Sequence, residues 1–144
     1  MALSPQKFRE MVLQMMYGLE FTETSNPDLI DLIMETLTVS KKNVRLAAER
    51  VAHIYEKIKE IDDAISVVST SYDFERIQVV TKCILRIGVF EILFDDQIPP
   101  RVAISEAIRL SRKFSTPESA DFVNAVLDSI YNKKTAPHVL DEQV

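Results

Sequence analysis

Apolar side chains return at steps of three and four residues along most of this chain, a period that suits the 3.6-residue turn of a helix and not the alternation of a strand. The longest series is Val44, Ala47, Val51, Ile54, Ile58, Ile61, Ile65 and Val68. It reads as a heptad seam and predicts a long bundle helix from Ser40, bent near Asp62 and Asp63, in preference to an extended coiled coil. Only two of the 144 residues are glycine, too few for a turn-rich β architecture but enough for helices joined by short loops. The expected fold class is all-α.

Start and stop signals divide the rest. Ser4 before Pro5 combines a capping hydroxyl with a proline at the first helical position, and Phe8, Met11, Val12, Met15, Met16 and Leu19 mark one buried face of a helix from Pro5 to Glu20. TETSNP breaks it. Asn26 and Pro27 open a short second helix carrying Leu29, Ile30, Ile33, Met34 and Leu37. From Glu75 to Phe94 the chain is apolar almost all round, which predicts a helix surrounded by others. DDQIPP turns the chain, and Pro100 starts a helix with the stripe Val102, Ala103, Ile104, Ala107, Ile108 and Leu110, closed by Phe114. Thr116, Pro117 and Glu118 repeat the cap, proline and first-turn acid pattern ahead of Phe122, Val123, Val126, Leu127 and Ile130. Beyond Tyr131 periodicity fades. One domain over residues 1–132 and a mobile tail over 133–144 are expected.

Charge and motif content narrow the function classes. A net charge of −5 and a pI near 5.1 argue against a strong independent nucleic-acid binder, whose affinity comes from clustered Lys and Arg. The single cysteine, Cys83, lies in an apolar run, the setting of a buried structural thiol in a reducing compartment. MALSPQKFRE lacks a basic segment followed by an apolar run, and no stretch approaches the ~18 apolar residues of a membrane span; a cytoplasmic protein is expected. His53 and His138 are remote from Cys83 and from each other, so no metal-ligand spacing arises. No phosphate loop is present, and Gly18 and Gly88 sit singly in helical patterns, where close helix packing explains them. Asp62 with Asp63 and Asp95 with Asp96 are adjacent carboxylates that point apart on a helix, and they read as solvated turn residues. Neither an enzyme nor a cofactor is expected.

Surface chemistry concentrates on the helix after Pro100. Arg101, Ser105, Arg109, Arg112 and Lys113 fall opposite its apolar stripe, either to hold phosphates without reading bases or as a solvated face partly neutralised by Glu106. Lys7 and Arg9 add charge on the polar side of the first helix. Tyr17 lies at the edge of the buried stripe, as an interface anchor or as core-edge packing. Phe122 suits base stacking or the core, and Asn124 is expected to satisfy a buried polar group.

Ordered motifs also suggest a family. Ile98 to Ile108, IPPRVAISEAI, resembles the NusB pattern of a proline turn followed by K/R-V-A-I-N-E-A. Phe122 to Asp128, FVNAVLD, resembles F-V-N-G-V-L-D. Ile84 to Glu91, ILRIGVFE, is similar to I-L-R-L-A-V-Y-E, and Arg9, Glu10, Gln14 and Tyr17 resemble the family's first-helix pattern. The resemblance implies two packed three-helix bundles forming one domain, and a non-catalytic role in transcription antitermination within the elongation complex. It also implies pairing with the ribosomal protein NusE and joint binding of boxA-type RNA. The partner surface would include Tyr17, Glu75, Arg76, Thr81 and Glu118; the RNA surface would draw on Lys7, Arg9, Arg101 and Phe122.

The chain departs from the family at the start, where Ser4, Pro5, Gln6, Lys7 and Phe8 replace an arginine-rich run. Thr81 stands at a usually acidic position and Arg76 where some members carry an acid. Two other readings compete. One is an interaction module or homodimer with weak or lost RNA binding; the other is the RNA-binding domain of an rRNA cytosine methyltransferase, for which no cofactor-binding βαβ pattern follows.

Overall fold

In the computed structural model, residues 3–21, 40–69 and 73–143 are described, with side chains as far as Lys134. The expected helix from Asn26 to Leu37 lies outside the described residues. Every regular element among those described is helical, so the class is all-α as the periodicity implied. The elements are α1 (Pro5–Phe21), α2 (Lys41–Glu56), α3 (Ile58–Val68), a 3₁₀ turn (Phe74–Arg76), α4 (Val79–Phe94), α5 (Pro100–Phe114) and α6 (Pro117–Gln143). They fall into two compact units, residues 1–57 and 58–144.

The first unit contains α1 packed on α2. Ser4 starts α1 as expected: its Oγ accepts from Lys7 N at 3.2 Å, and its carbonyl from Phe8 N at 2.9 Å. Ser40 caps α2 in the same way, accepting from Asn43 N at 3.2 Å. Met11, Val12, Met15 and Met16 on α1 and Val44, Ala47, Val51 and Ile54 on α2 are buried, which is the apolar face that their spacing marks. Between the two helices, the Tyr55 hydroxyl donates to Glu20 at 3.2 Å.

The seam from Val44 to Val68 is carried by two helices instead of one bent helix. The break falls at Lys57 rather than near Asp62 and Asp63. Lys57 leaves helical geometry at φ −106°, ψ 14°, and its N–H is shared between the carbonyls of Ile54 and Tyr55, so the ladder of i→i−4 bonds is interrupted there. The three- and four-residue steps continue across the break, and a periodicity argument therefore passes over it.

The second unit is built around α4, which packs on α3, α5 and α6. Thr81 and every residue from Cys83 to Ile92 are buried, as a helix surrounded by neighbours requires. Gly88 permits the approach of α6, because a Cβ there would stand 2.7 Å from Leu127 Cδ1. Arg86, buried in this apolar setting, pairs with Asp62, so Asp62 is a structural anion on a helix and not a solvated turn residue. Asp95 does close a turn, its Oδ1 accepting from Gln97 N at 3.0 Å.

Pro99 and Pro100 start α5, with Val102 N and Ala103 N bonded to the Pro99 carbonyl, an arrangement that needs no donor from proline. Thr116 caps α6 by accepting from Ser119 N at 3.0 Å. The backbone of α6 stays helical to Gln143, through the residues expected to form a tail, and Lys134 Nζ reaches back to the Ile92 carbonyl at 2.6 Å. That carbonyl belongs to the last turn of α4, where intrahelical donors run out.

Candidate functional site

Two surface depressions in the second unit gather most of the candidate residues. The larger, an open groove of about 820 Å³, runs beside α5 and takes Arg101, Arg109, Arg112 and Lys113 to its rim. Helical spacing explains most of the grouping: Arg112 and Lys113 stand three and four residues beyond Arg109, and Arg101 eleven residues before Arg112, about three turns. The structure thus brings together four of the seven cations and aromatics assigned to RNA. Ile104 and Ile108 also line the groove, as does Asp128 from α6.

Not all of that positive charge is uncompensated. Arg109 donates to Glu106 through two bonds, from Nε at 3.0 Å and from a terminal nitrogen at 3.1 Å. The Glu106 side chain is only 12% exposed, so the pair is a held fork and not a fleeting surface contact. Lys113 lies 5.5 Å from the centre of the Phe114 ring. Arg101 and Arg112 are exposed.

The second depression, about 360 Å³, is bounded by the 3₁₀ turn, the start of α4 and the start of α6. Arg76, Thr81 and Glu118, three of the five partner candidates, meet there with Phe122. Its wall is a cluster of hydroxyls centred on Ser119. The Ser119 Oγ lies 3.0 Å from Ser115, 3.1 Å from Thr116 and 3.5 Å from Thr81. Thr81 is 3% exposed and contributes to the wall more than to the surface. Glu118 and Arg76 are exposed, and the 3.9 Å contact of Arg76 with Asp73 joins two side chains that are both 80% exposed, too wet to hold Arg76 firmly.

Several expectations are revised by position. Phe122 is half-buried in the second groove and lines no part of the cationic one, so it does not share a surface with Arg101. Asn124 is exposed on α6, not turned into the core as expected. Arg9 is 7% exposed, with Glu10 beside it at 8%. It shares the helical phase of Val12, Leu13 and Met16, all buried, and so faces inward, whereas Lys7 is exposed. Tyr17 is 43% exposed and meets Phe21 edge-on, ring centres 4.9 Å apart. Glu75 is exposed on the 3₁₀ turn.

Sequence reasoning did not single out Ser119, Ile77 or Gln78 in the second groove, nor Asp128 in the first. The Thr116 cap was a signal for Ser119, because a capping hydroxyl brings the third residue of the helix to itself. Among the described residues, no group of three or more His, Cys, Asp or Glu is placed to hold a metal ion, and no helix is long and apolar enough to cross a membrane.

Residues 6–132 match the model of the NusB family. The chain is 36% identical over 126 residues to the transcription antitermination protein NusB of Chlamydia pneumoniae, covering 88% of this chain and 79% of that one. It is 35% identical over 127 residues to the protein of that name from Clostridium perfringens, covering 87% and 94%. Among solved structures it is similar to T. maritima NusB, with a TM-score of 0.78, 30% identity and coverage of 92% and 93%. A structure of antitermination factors NusB and NusE in complex with dsRNA shares the fold, with a TM-score of 0.75 at 23% identity, covering 89% and 96%.

Proposed function

The chain belongs to the NusB family, and from that premise we propose that this antitermination factor pairs with the ribosomal protein NusE and, together with it, binds boxA-type RNA of ribosomal RNA leaders within the elongation complex. The observation that carries the reading is the convergence of Arg76, Thr81 and Glu118 on one groove beside Phe122. These residues come from three separate segments, and the family resemblance alone had assigned the first three to the partner. A half-buried aromatic among hydroxyls and exposed charges of both signs is the composition of a protein-binding patch. The NusB of the solved NusB–NusE–RNA assembly supports the same pairing.

RNA binding is shared work in this reading. The chain is net acidic, Arg9 is turned inward, and the first turn of α1 offers Lys7 as its exposed cation. NusE therefore supplies a large part of the affinity, and the chain contributes Lys7, Phe122 and the rim of the α5 groove. The test is to mix the chain, its organism's NusE and labelled boxA RNA at low salt. A ternary complex that binds RNA at least tenfold more tightly than the chain alone is expected; no ternary complex would overturn the reading.

The same acidity favours one other reading, an interaction module or homodimer with weak or lost RNA binding. A solution mass of two chains, together with boxA affinity that NusE does not raise, would establish that alternative.

A further inference from the structure

The 3₁₀ turn from Phe74 to Arg76 bounds the second groove, and two backbone bonds close it: Arg76 N to the Asp73 carbonyl at 2.9 Å and Ile77 N to the Phe74 carbonyl at 3.2 Å. A single turn of this kind fixes several dihedrals for few bonds and does not hold itself. Asp73 at its start makes no side-chain capping bond, and its wet 3.9 Å contact with Arg76 adds little. The turn takes its shape from what it packs on. We infer that Phe74 is a positioning residue for the NusE-binding groove: its ring, set against two cations of α4, fixes the turn that carries Glu75 and Arg76. This rests on the partner reading above and adds to it the residue that preorganises one wall.

Lys82 Nζ stands 4.7 Å from the centre of the Phe74 ring and the Arg86 guanidinium carbon 5.6 Å from it, both within reach of the attraction between a cation and an aromatic ring. Lys82 and Arg86 are four residues apart, one turn of α4, and so lie on the same side of that helix. Neither anchor is loose. Arg86 is 8% exposed and is forked onto Asp62 of α3 by two 3.0 Å bonds, while Lys82 is half-buried. Cations drawn out of water attract a ring more strongly than solvated ones.

At the other end of the turn Ile77 is buried and leads through Gln78 into α4. The turn is therefore pinned at Phe74 and at Ile77, and the two residues between them, Glu75 and Arg76, are exposed. Among the described residues, the groove lining takes Arg76, Ile77 and Gln78 from this segment and not Phe74. The ring thus acts through its neighbours. With the turn fixed before a partner arrives, less freedom is lost on binding, which raises affinity without a new contact.

The full chain is titrated with NusE in the absence of RNA, and amide exchange is followed at Arg76 and Ile77, whose N–H groups close the turn. Phe74→Leu keeps bulk and removes the ring, whereas Phe74→Tyr keeps a ring that cations also attract. Phe74→Leu is expected to weaken NusE binding by roughly three- to tenfold and to speed exchange at Arg76 and Ile77, with the core amides of α4 at wild-type rates. Phe74→Tyr should restore both, and Lys82→Met, which removes one cation, should give a smaller loss of affinity. Because the ring acts through Arg76, Phe74→Leu with Arg76→Ala should weaken binding by less than the product of the single losses. Unchanged affinity in Phe74→Leu, whatever its unfolding midpoint, would overturn the proposal, as would multiplicative losses in the double variant or turn amides that exchange at the wild-type rate. Should Phe74→Leu fail to fold, Lys82→Met takes its place in the same cycle with Arg76→Ala. If the wild-type chain does not bind NusE, the partner reading falls, and faster exchange at Arg76 and Ile77 in Phe74→Leu still assigns the hold on the turn to Phe74.

Discussion

The guanidinium of Arg86 in α4 closes on the carboxylate of Asp62 in α3 through two bonds, each 3.0 Å long. The Arg86 side chain is 9% exposed and that of Asp62 25%, and the Phe74 ring stands 5.6 Å from the guanidinium. Asp62→Ala would leave the buried guanidinium without its carboxylate, and loss of one partner of such a pair costs about 3–5 kcal/mol. Partial exposure of Asp62 places the expected loss at the lower end. Replacing both, as Asp62→Leu with Arg86→Met, should recover most of the stability. Urea unfolding checks this: a shift below about 1 kcal/mol for Asp62→Ala would show that water already screens the pair.

Gly88 sets how closely α6 approaches α4. A Cβ at this position would stand 2.7 Å from Leu127 Cδ1 and 3.2 Å from Cδ2, but these atoms end a flexible side chain. Gly88→Ala is therefore expected to change stability by no more than about 1 kcal/mol, since the gain in helix propensity opposes a small displacement of Leu127. Gly88→Val adds bulk that Leu127 cannot clear and should destabilise by about 1–3 kcal/mol. Combining it with Leu127→Ala should cost less than the sum of the two changes. Additive losses would show that the two residues are not coupled.

Much of this architecture was legible because burial follows period. The stripe on α1 came from spacing alone and the burial of α4 from its being apolar all round, whereas on α5 the stripe is broken at Val102, which is 42% exposed; Ser4, Pro100 and Thr116 marked three helix starts through local hydrogen bonding. The break at Lys57 was not legible, because the apolar steps run on through Ile58 and Ile61 and nothing but the backbone geometry records the interruption. Arg9 was misplaced for a related reason: hydropathy assigns a cation to water, while the phase it shares with Val12, Leu13 and Met16 turns it inward. Arg86 with Asp62 and Phe122 with Arg76 are long-range meetings, and no local rule encodes them. Arg101 to Lys113 could be grouped from sequence because the four lie on one helix.

Cys83 is fully buried in α4. A thiol reagent too large for the core should leave it unmodified in the native protein and titrate one thiol in denaturant. Since access requires opening of the second unit, the labelling rate should rise in Gly88→Val in step with its loss of stability. Rapid labelling of the native wild type would mean that α4 is open to solvent on the timescale of the reaction.

Phe122 and the α5 cations should answer salt in different ways. Phe122 lines the groove of Arg76, Thr81 and Glu118, and any contact it makes, with a partner side chain or with an unpaired base, is apolar or stacking. Truncation by Phe122→Ala should weaken the ternary complex by tenfold or more, about 1.4 kcal/mol, without altering its salt slope, because no counterion is released by an aromatic ring. Its half-burial makes loss of stability a second consequence, so Phe122→Leu serves as the control that keeps bulk and removes the ring. If Leu restores the affinity, the ring acts by filling space. If Leu and Ala are equally weak while both unfold at the wild-type midpoint, the ring itself is recognised. Glu118→Lys on the same groove should reduce NusE binding measured without RNA, and Arg112→Ala should leave that binding unchanged. An equal effect of Glu118→Lys and Arg112→Ala on NusE binding would contradict the separation of the two grooves.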